Sequence, residues 1–144
     1  MRILFFALLS IAAITVMADD YSPSWELLQG PTKREPGLPW IYYDKSGILI
    51  SGSLRRVWFK VDYAAHSAPD IHNPARFLAR FQYHAAFDCS NGTEKVEQSK
   101  TDYENGDVES ANLEGTNQWI TLAPDDPSYV AMQTICAWKK HFWE

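Results

Sequence analysis

The amino-acid sequence predicts an α+β fold, in which an antiparallel sheet of about six strands carries a carboxyl-terminal helix on one face. Two stretches, Leu54 to Tyr63 and Arg80 to Asp88, alternate apolar and polar residues as half-buried strands do. Near the end of the chain the apolar residues instead recur with the period of an amphipathic helix. Cys89 follows the second alternating stretch and Cys136 lies in the helical one, so a disulfide would tie the helix to the sheet.

The composition describes one small acidic domain. The chain has 144 residues, of which 18 are acidic and 13 basic, and its formal charge is -5 at neutral pH. A chain of this length supports one hydrophobic core rather than two. The negative charge argues against a nucleic-acid partner, because such partners need a basic surface that displaces counterions from phosphate.

Residues 1–18 have the pattern of a secretory signal peptide. A positive start at Arg2 precedes an apolar run from Ile3 to Val16, and Ala18 completes a cleavage site of small residues. The run is shorter than the roughly twenty residues of a membrane-spanning helix. We therefore expect cleavage after Ala18 and a mature chain without a membrane span. No cysteine lies near that site, so we expect an exported protein that is not lipid-anchored and is either periplasmic or secreted or on the cell surface.

Export determines how the two cysteines are interpreted. An exported chain meets an oxidising compartment, where an even number of cysteines favours disulfides. Cys89 and Cys136 are the only pair, and closing a loop of this length stabilises a fold by about 4 kcal/mol in the chain-entropy model. The spacing typical of a redox-active pair, with two residues between the cysteines, is absent. We therefore predict a structural disulfide.

The mature chain is predicted to begin with an extended lead-in over residues 19–39, which is rich in proline and glycine. Within it we expect Trp25, Leu27 and Leu28 to pack against the core, since an exposed apolar cluster would be an aggregation surface. A single domain is predicted over residues 40–144.

Strand and turn signals then alternate along the domain. A loop is predicted over 64–76, where two prolines and two histidines occur without periodicity, and Asn105-Gly106 is a strong hairpin signal. The helix is predicted to start at a capping Asp125 or Asp126 and to bury one apolar stripe. The predicted strands cover 41–43, 48–50, 54–63, 80–88, 94–103, 108–113 and 119–122, and the helical stripe comprises Ala131, Ile135, Trp138 and Phe142.

Several short motifs follow one another in a recognisable order. They are Trp25, the segment 40–44 ending in Tyr-Asp, the strand 55–63 ending in Asp-Tyr, the triplet 87–89, Tyr103, Trp119 with Ala123-Pro124, and Cys136. This order resembles the surface-adhesin protein E family of bacterial exported proteins over essentially the whole mature chain. The resemblance implies an antiparallel sheet with a carboxyl-terminal helix held by the Cys89 to Cys136 disulfide. It also implies binding of host extracellular-matrix or serum proteins and a homodimer as one form of assembly. The chain departs from the family pattern in lacking a lipid-modified cysteine.

Tryptophan is the residue type that best indicates a binding surface. The chain contains 6 tryptophans, and this residue is enriched at binding hot spots. We expect Trp119 and Trp138 to lie in the core. Trp58, on the more polar face of its strand, and Trp143, near the end of the helix, are the candidates for a partner or dimer surface. The alternative, that the helix covers Trp58, stays open because the sequence does not show which sheet face the helix packs on.

A cluster of carboxylates around the predicted hairpin offers a second candidate surface. Asp107 and Glu109 could contact a basic partner, which would suit a periplasmic binding or inhibitor module without adhesin activity. A solvated strand face that discourages edge-to-edge pairing is the alternative interpretation. The cluster comprises Asp102, Glu104, Asp107, Glu109 and Glu114.

Catalytic and metal-binding chemistry have weaker support. His66, Asp70 and His72 could supply metal ligands for a small hydrolase, but their spacing matches no zinc motif. His84 has no serine or cysteine nucleophile in a recognisable setting. We therefore expect neither a catalytic nor a metal site and no cofactor. The first hypothesis is an exported protein that binds a protein partner non-covalently.

Overall fold

The computed structural model describes residues 22–29 and 38–139, which form one antiparallel sheet and one helix. The predicted α+β class and the terminal helix are thereby confirmed. The signal peptide, part of the lead-in, Phe142 and Trp143 lie outside the described residues. The strands are β1 (Trp25–Gln29), β2 (Trp40–Asp44), β3 (Leu49–Ser51), β4 (Leu54–Asp62), β5 (Leu78–Asp88), β6 (Thr93–Tyr103), β7 (Val108–Asn112) and β8 (Ile120–Thr121), and the helix is α1 (Pro127–Ala137).

The strands form a single sheet in the order β1-β2-β4-β5-β6-β7, in which β3 pairs with β4 and β8 with β6. This gives an 8-stranded sheet instead of the roughly six strands expected. Seven of the strands lie on predicted strand segments, and the additional one, β1, belongs to the segment that was expected to be only a lead-in. It pairs antiparallel with β2. Proline and glycine around β1 mask its strand signal, and the pairing depends on a partner strand further along the chain.

Side-chain alternation along β4 and β5 divides the sheet into two faces. Val57, Phe59, Ala85 and Phe87 are fully buried on one face. Ile135 of α1, also fully buried, packs into the same cluster. The helix therefore covers the face of Val57 and Phe59, a point that the sequence left open. Burying each large apolar side chain contributes about 1.5–3 kcal/mol relative to leaving it exposed, so this face holds the domain together.

The disulfide between Cys89 and Cys136 fastens the helix to the sheet, as predicted. Cys89 directly follows β5, and Cys136 lies in the last turn of α1. The two Cα atoms are 5.6 Å apart, although the residues are separated by 47 positions in the sequence. The cross-link thus joins the middle of the sheet to the end of the only helix in the described part of the chain.

Three predictions about apolar side chains are wrong. Leu28 packs against the core, but Leu27 is 54% exposed because it points to the other side of the edge strand β1. Trp25 lies against the Lys60 ammonium group instead of in the core. Trp119 is 43% exposed because it immediately precedes the two-residue strand β8 at the sheet margin. Trp138 does pack against the core, just beyond the end of α1.

We predict that replacing both cysteines by serine lowers the free energy of unfolding by up to about 4 kcal/mol, because the unfolded chain regains the freedom of the closed loop. Urea unfolding of the mature protein and of the Cys89→Ser/Cys136→Ser variant measures the difference. Adding a reductant to the wild-type protein should reproduce the loss and should leave the variant unchanged. Equal stability of the two proteins under oxidising conditions would contradict a stabilising role.

Candidate binding surface

The sheet face opposite α1, here called the Trp58 face, presents long polar and aromatic side chains. Residues directly opposite one another on neighbouring strands point to the same side of a sheet. Trp58 pairs with His84, Lys60 with Gln82, and Gln82 in turn with Lys100. All five side chains therefore belong to this face. They are neither fully buried nor fully exposed, which is the state of side chains on a solvated sheet face.

Trp58 stands between two pockets on this face. The first, the Trp25 pocket, has a volume of about 260 Å³ and is lined by Pro23, Trp25, Asp44, Trp58, Gln82 and Lys100. The second, of about 360 Å³, is bordered by hydroxyl and amide side chains that include Gln98, Ser110 and Asn112. Trp58 and Lys100 line both pockets. The indole thus offers an aromatic surface with hydrogen-bonding groups beside it, an arrangement suited to non-covalent binding.

A polar cluster with Glu97 buried at its centre lies beside Trp58 on the same face. The His84 ring lies 5.1 Å from the Trp58 ring, centroid to centroid, and its Nδ1 is 3.3 Å from Glu97 Oε2. Arg56 Nε donates to both carboxylate oxygens of Glu97, at 3.1 and 3.2 Å. Burial lowers the pKa of His84, while the negative charge of Glu97 acts in the opposite direction. His84 is therefore held mainly as a neutral imidazole at neutral pH.

A β-bulge places Glu97 in this cluster. The pairing between β5 and β6 skips a residue, since Ala85 lies opposite Val96 whereas His84 lies opposite Gln98. Glu97 is the extra residue, and bulges of this kind redirect a side chain. Strict alternation along β6 would not predict its position. Only the register of the β5–β6 pair reveals it.

The two lysines beside Trp58 already have partners. Lys60 Nζ lies 4.9 Å from the centre of the Trp25 ring and 4.4 Å from that of Tyr42. It is also 3.5 Å from Asp62, and Lys100 is 3.2 Å from Asp102. Both lysines therefore have a carboxylate partner, and Lys60 shares Asp62 with Arg80.

Asp44 is the buried carboxylate of the Trp25 pocket. One oxygen, Oδ1, accepts hydrogen bonds from the Ser24 amide at 2.9 Å, the Ser46 amide at 3.1 Å and the Ser46 hydroxyl at 2.7 Å. These bonds close the turn after β2 and hold the start of β1. The side chain is fully buried, and its second oxygen, Oδ2, has no hydrogen-bond partner among the described residues.

The acidic hairpin residues lie away from Trp58. Glu109 pairs with Thr101, on the α1 side of the sheet, and Asp107 lies in the turn before β7. Arg76 Nη2 is 2.7 Å from Glu109, and Arg76 Nη1 is 3.7 Å from Asp107. The guanidinium also lies 3.6 Å above the Tyr103 ring. Part of the acidic surface is therefore neutralised by an arginine that sequence reasoning missed.

Arg76 also fastens the loop between β4 and β5. It donates to Asp70, whose pKa is lowered by the His72 backbone N–H and then by Arg76 itself. His66 does not join Asp70 and His72 but contacts Glu104, with its Nδ1 2.8 Å from Glu104 Oε2. Among residues 22–29 and 38–139, no three His, Cys, Asp or Glu side chains are placed to hold a metal ion. A larger pocket of about 730 Å³ lies beside this loop. Its charged side chains pair within the domain, Arg80 with Asp62 and Glu104 with His66.

These features define a disulfide-linked α+β domain with one face covered by its helix and an aromatic surface on the other. The chain belongs to the surface-adhesin protein E family, because the family model described as Surface-adhesin protein E matches residues 25–137. The resemblance seen in the sequence is thereby confirmed. Membership makes this a surface-adhesin-like protein and supports an exported, non-enzymatic binding protein.

Comparison with solved structures returned protein E of Haemophilus influenzae. Protein E from a non-typeable strain is 18% identical, with a TM-score of 0.48, over 81% of this chain and 86% of that chain. A second protein E structure is 20% identical, with a TM-score of 0.49, over 78% of this chain and 93% of that chain. A comparison with curated proteins found no match. Among the described residues, no helix has both the length and the apolar character needed to cross a membrane.

We predict that His84 makes the domain less stable in mild acid. Because its pKa is lowered in the folded state, the unfolded chain binds the proton first as the pH falls through about 6.5, the ordinary histidine value. Stability is therefore present above that pH and is lost below it. Urea unfolding at about pH 7.5 and about pH 5 should show a smaller loss for His84→Gln than for the wild type. Equal losses would contradict the prediction.

We predict that Arg76→Ala loosens the loop between β4 and β5 without unfolding the sheet. The change leaves Asp70 without its guanidinium partner, so the amides of Asp70 and Leu78, which bond within this loop, should exchange with solvent faster. Hydrogen exchange followed by mass spectrometry measures the effect. Arg80→Ala is the matched control because Arg80 pairs with Asp62 outside the loop. An unchanged exchange rate in Arg76→Ala would disprove the fastening role.

Proposed function

We propose that this protein is an exported adhesin that binds a host extracellular-matrix or serum protein through the Trp58 face. Family membership supports the adhesin class. The observation that carries the choice of surface is the position of Trp58, which separates two pockets on the face that α1 leaves uncovered. The proposal assigns no role in binding to the α1 face, because its apolar residues are buried in the core.

The Trp58 face has the composition of a protein-binding surface. Energetically important interface residues are enriched in tryptophan, tyrosine and arginine and lie near the centre of the contact, surrounded by polar groups that exclude water. Trp58 has such a place, with Gln82 and Lys100 beside it. Its indole is supported by the His84 ring, so little side-chain freedom is lost on binding. A well-supported aromatic residue of this kind can contribute a large share of the affinity.

The main test compares two tryptophan variants against a panel of immobilised matrix and serum proteins. We expect Trp58→Ala to weaken binding to the recognised protein by at least about tenfold, the size of effect that defines a hot spot. Trp119→Ala is the matched control, since Trp119 is also exposed but lies at the margin near β8. It should leave the affinity unchanged.

Two results would overturn this assignment. Equal effects of the two variants would show that Trp58 is not at the centre of the contact. Absence of binding to the whole panel, together with sedimentation showing that Trp58→Ala converts a dimer into a monomer, would assign the Trp58 face to a homodimer instead. Thermal unfolding of both variants provides the control for folding.

The cellular location is tested separately. Protease treatment of intact producing cells, with a leakage control, should cleave the protein or find it already in the medium if it acts on host proteins. Protection until the outer membrane is opened would exclude adhesion. The partner would then be sought within the cell envelope, starting with basic proteins that could contact Asp107 and Glu109.

A further inference from the structure

We infer that the Trp25 pocket receives an arginine side chain of the partner protein, with Asp44 as the counter-ion. This inference rests on the proposed function, because it identifies the chemistry by which the Trp58 face recognises its partner. Three properties of the pocket support it: the pocket is small, two tryptophans line it, and it contains a buried carboxylate without a cationic partner among the described residues.

The size of the pocket fits one side chain. Its volume of about 260 Å³ lies below the roughly 300–1,000 Å³ typical of sites for small-molecule ligands. A folded element of a partner could not enter it. A single extended side chain could enter it if the surface of the partner protein rests on Trp58.

The charges near the pocket favour a cation. Lys100 is paired with Asp102 at 3.2 Å, and Lys60 lies 3.5 Å from Asp62, which Arg80 also contacts. Asp44 has no salt-bridge partner within the described residues, and its Oδ2 receives no hydrogen bond from them. A buried carboxylate oxygen without a donor is costly, and a charged donor relieves more of that cost than a neutral one. The complementary ligand group is therefore positive.

The walls favour a guanidinium over an ammonium group. Trp25 and Trp58 both line the pocket, and Trp25 already has the Lys60 ammonium near its ring. An ammonium group is compact and strongly hydrated, whereas a guanidinium is planar, more weakly hydrated and able to stack on indole while donating hydrogen bonds in its plane. An arginine can therefore contact the aromatic walls and Asp44 Oδ2 at the same time.

Access to Asp44 requires movement of a side chain that lines the pocket. Asp44 has no exposed surface even though it lines the pocket. Trp25 belongs to β1, which in the described part of the sheet pairs only with β2 at the edge. Trp25 therefore lies on the edge strand, where fewer pairings hold it than hold Trp58 on β4. Ligand binding should be visible as a change at the Trp25 and Trp58 indole N–H groups.

The experiment uses the mature protein and two blocked tripeptides, acetyl-Gly-Arg-Gly-amide and the same peptide with citrulline in place of arginine. Citrulline has nearly the same shape as arginine but no charge. Nuclear magnetic resonance titration of the indole N–H signals, assigned with Trp25→Phe and Trp58→Phe, measures binding. We expect saturable shifts of both signals with the arginine peptide and at least about tenfold weaker binding of the citrulline peptide.

The variant test replaces one carboxylate at a time. Asp44→Asn should weaken binding of the arginine peptide by at least about tenfold. Asp88→Asn is the matched control, because Asp88 closes the turn after β5 through the same bonds from Ser90 that Asp44 receives from Ser46. It should leave binding unchanged. If Asp44→Asn does not fold, Trp25→Ala takes its place, and it should likewise weaken binding of the arginine peptide.

The outcomes separate this inference from the proposed function. Equal binding of the arginine and citrulline peptides, or no shift at either indole, would overturn the inference even if Trp58→Ala abolishes binding to a matrix or serum protein. Conversely, arginine-specific shifts that depend on Asp44, without binding to any protein of the panel, would support the pocket and contradict the adhesin assignment. Competition by the arginine peptide for a recognised host protein would support both.

Discussion

The alternation of side chains along β4 and β5 is the constraint on which the rest of the structure depends. With a period of two, Val57 and Phe59 can be buried only if Trp58 and Lys60 point to the other side. A shift of one residue in the register with β5 would exchange the two faces and expose the core. The helix packs on the apolar face, where its Ile135 is buried. The position of Trp58 on the opposite face is thus a direct consequence of how the core is formed.

The helix in turn depends on the sheet. Asp126 occupies the N-cap position but its side chain makes no capping hydrogen bond, and the first turn has no acidic and the last turn no basic side chain. An isolated helix of 11 residues without such support is marginal in water. Packing of Ile135 and the bond from Cys136 to Cys89 therefore supply most of its stability. Because Cys89 directly follows β5 and His84 of β5 lies beside Trp58, the same strand links the covalent cross-link to the binding surface.

The sequence predicts those parts of the molecule whose signal is local. The long strands β4 to β7 and the start of α1 lie within a residue or two of their predicted bounds, because alternation, the Asn105-Gly106 turn and the helix period act over short stretches. Contacts that close over long distances could not be predicted. Arg56 and Glu97, which are 41 positions apart, meet only through the β5 pairing and its bulge. The same limitation explains why β1, the exposure of Trp119 and the unpaired oxygen of Asp44 required the structure.

The acidic composition and the proposed recognition of an arginine are connected by how the charges are distributed. The formal charge of -5 gives the protein a weak general attraction for basic partners, but such long-range attraction is screened by physiological salt. Ion pairs within the domain cancel most of the charge beside Trp58. A buried carboxylate is screened much less than an exposed one. Asp44 can therefore distinguish one positively charged side chain from its neutral counterparts at close range, while the surrounding indole and amide groups provide contact area independent of charge. Selectivity for a basic residue in this arrangement depends on the geometry of a single pocket rather than on the net charge of the protein.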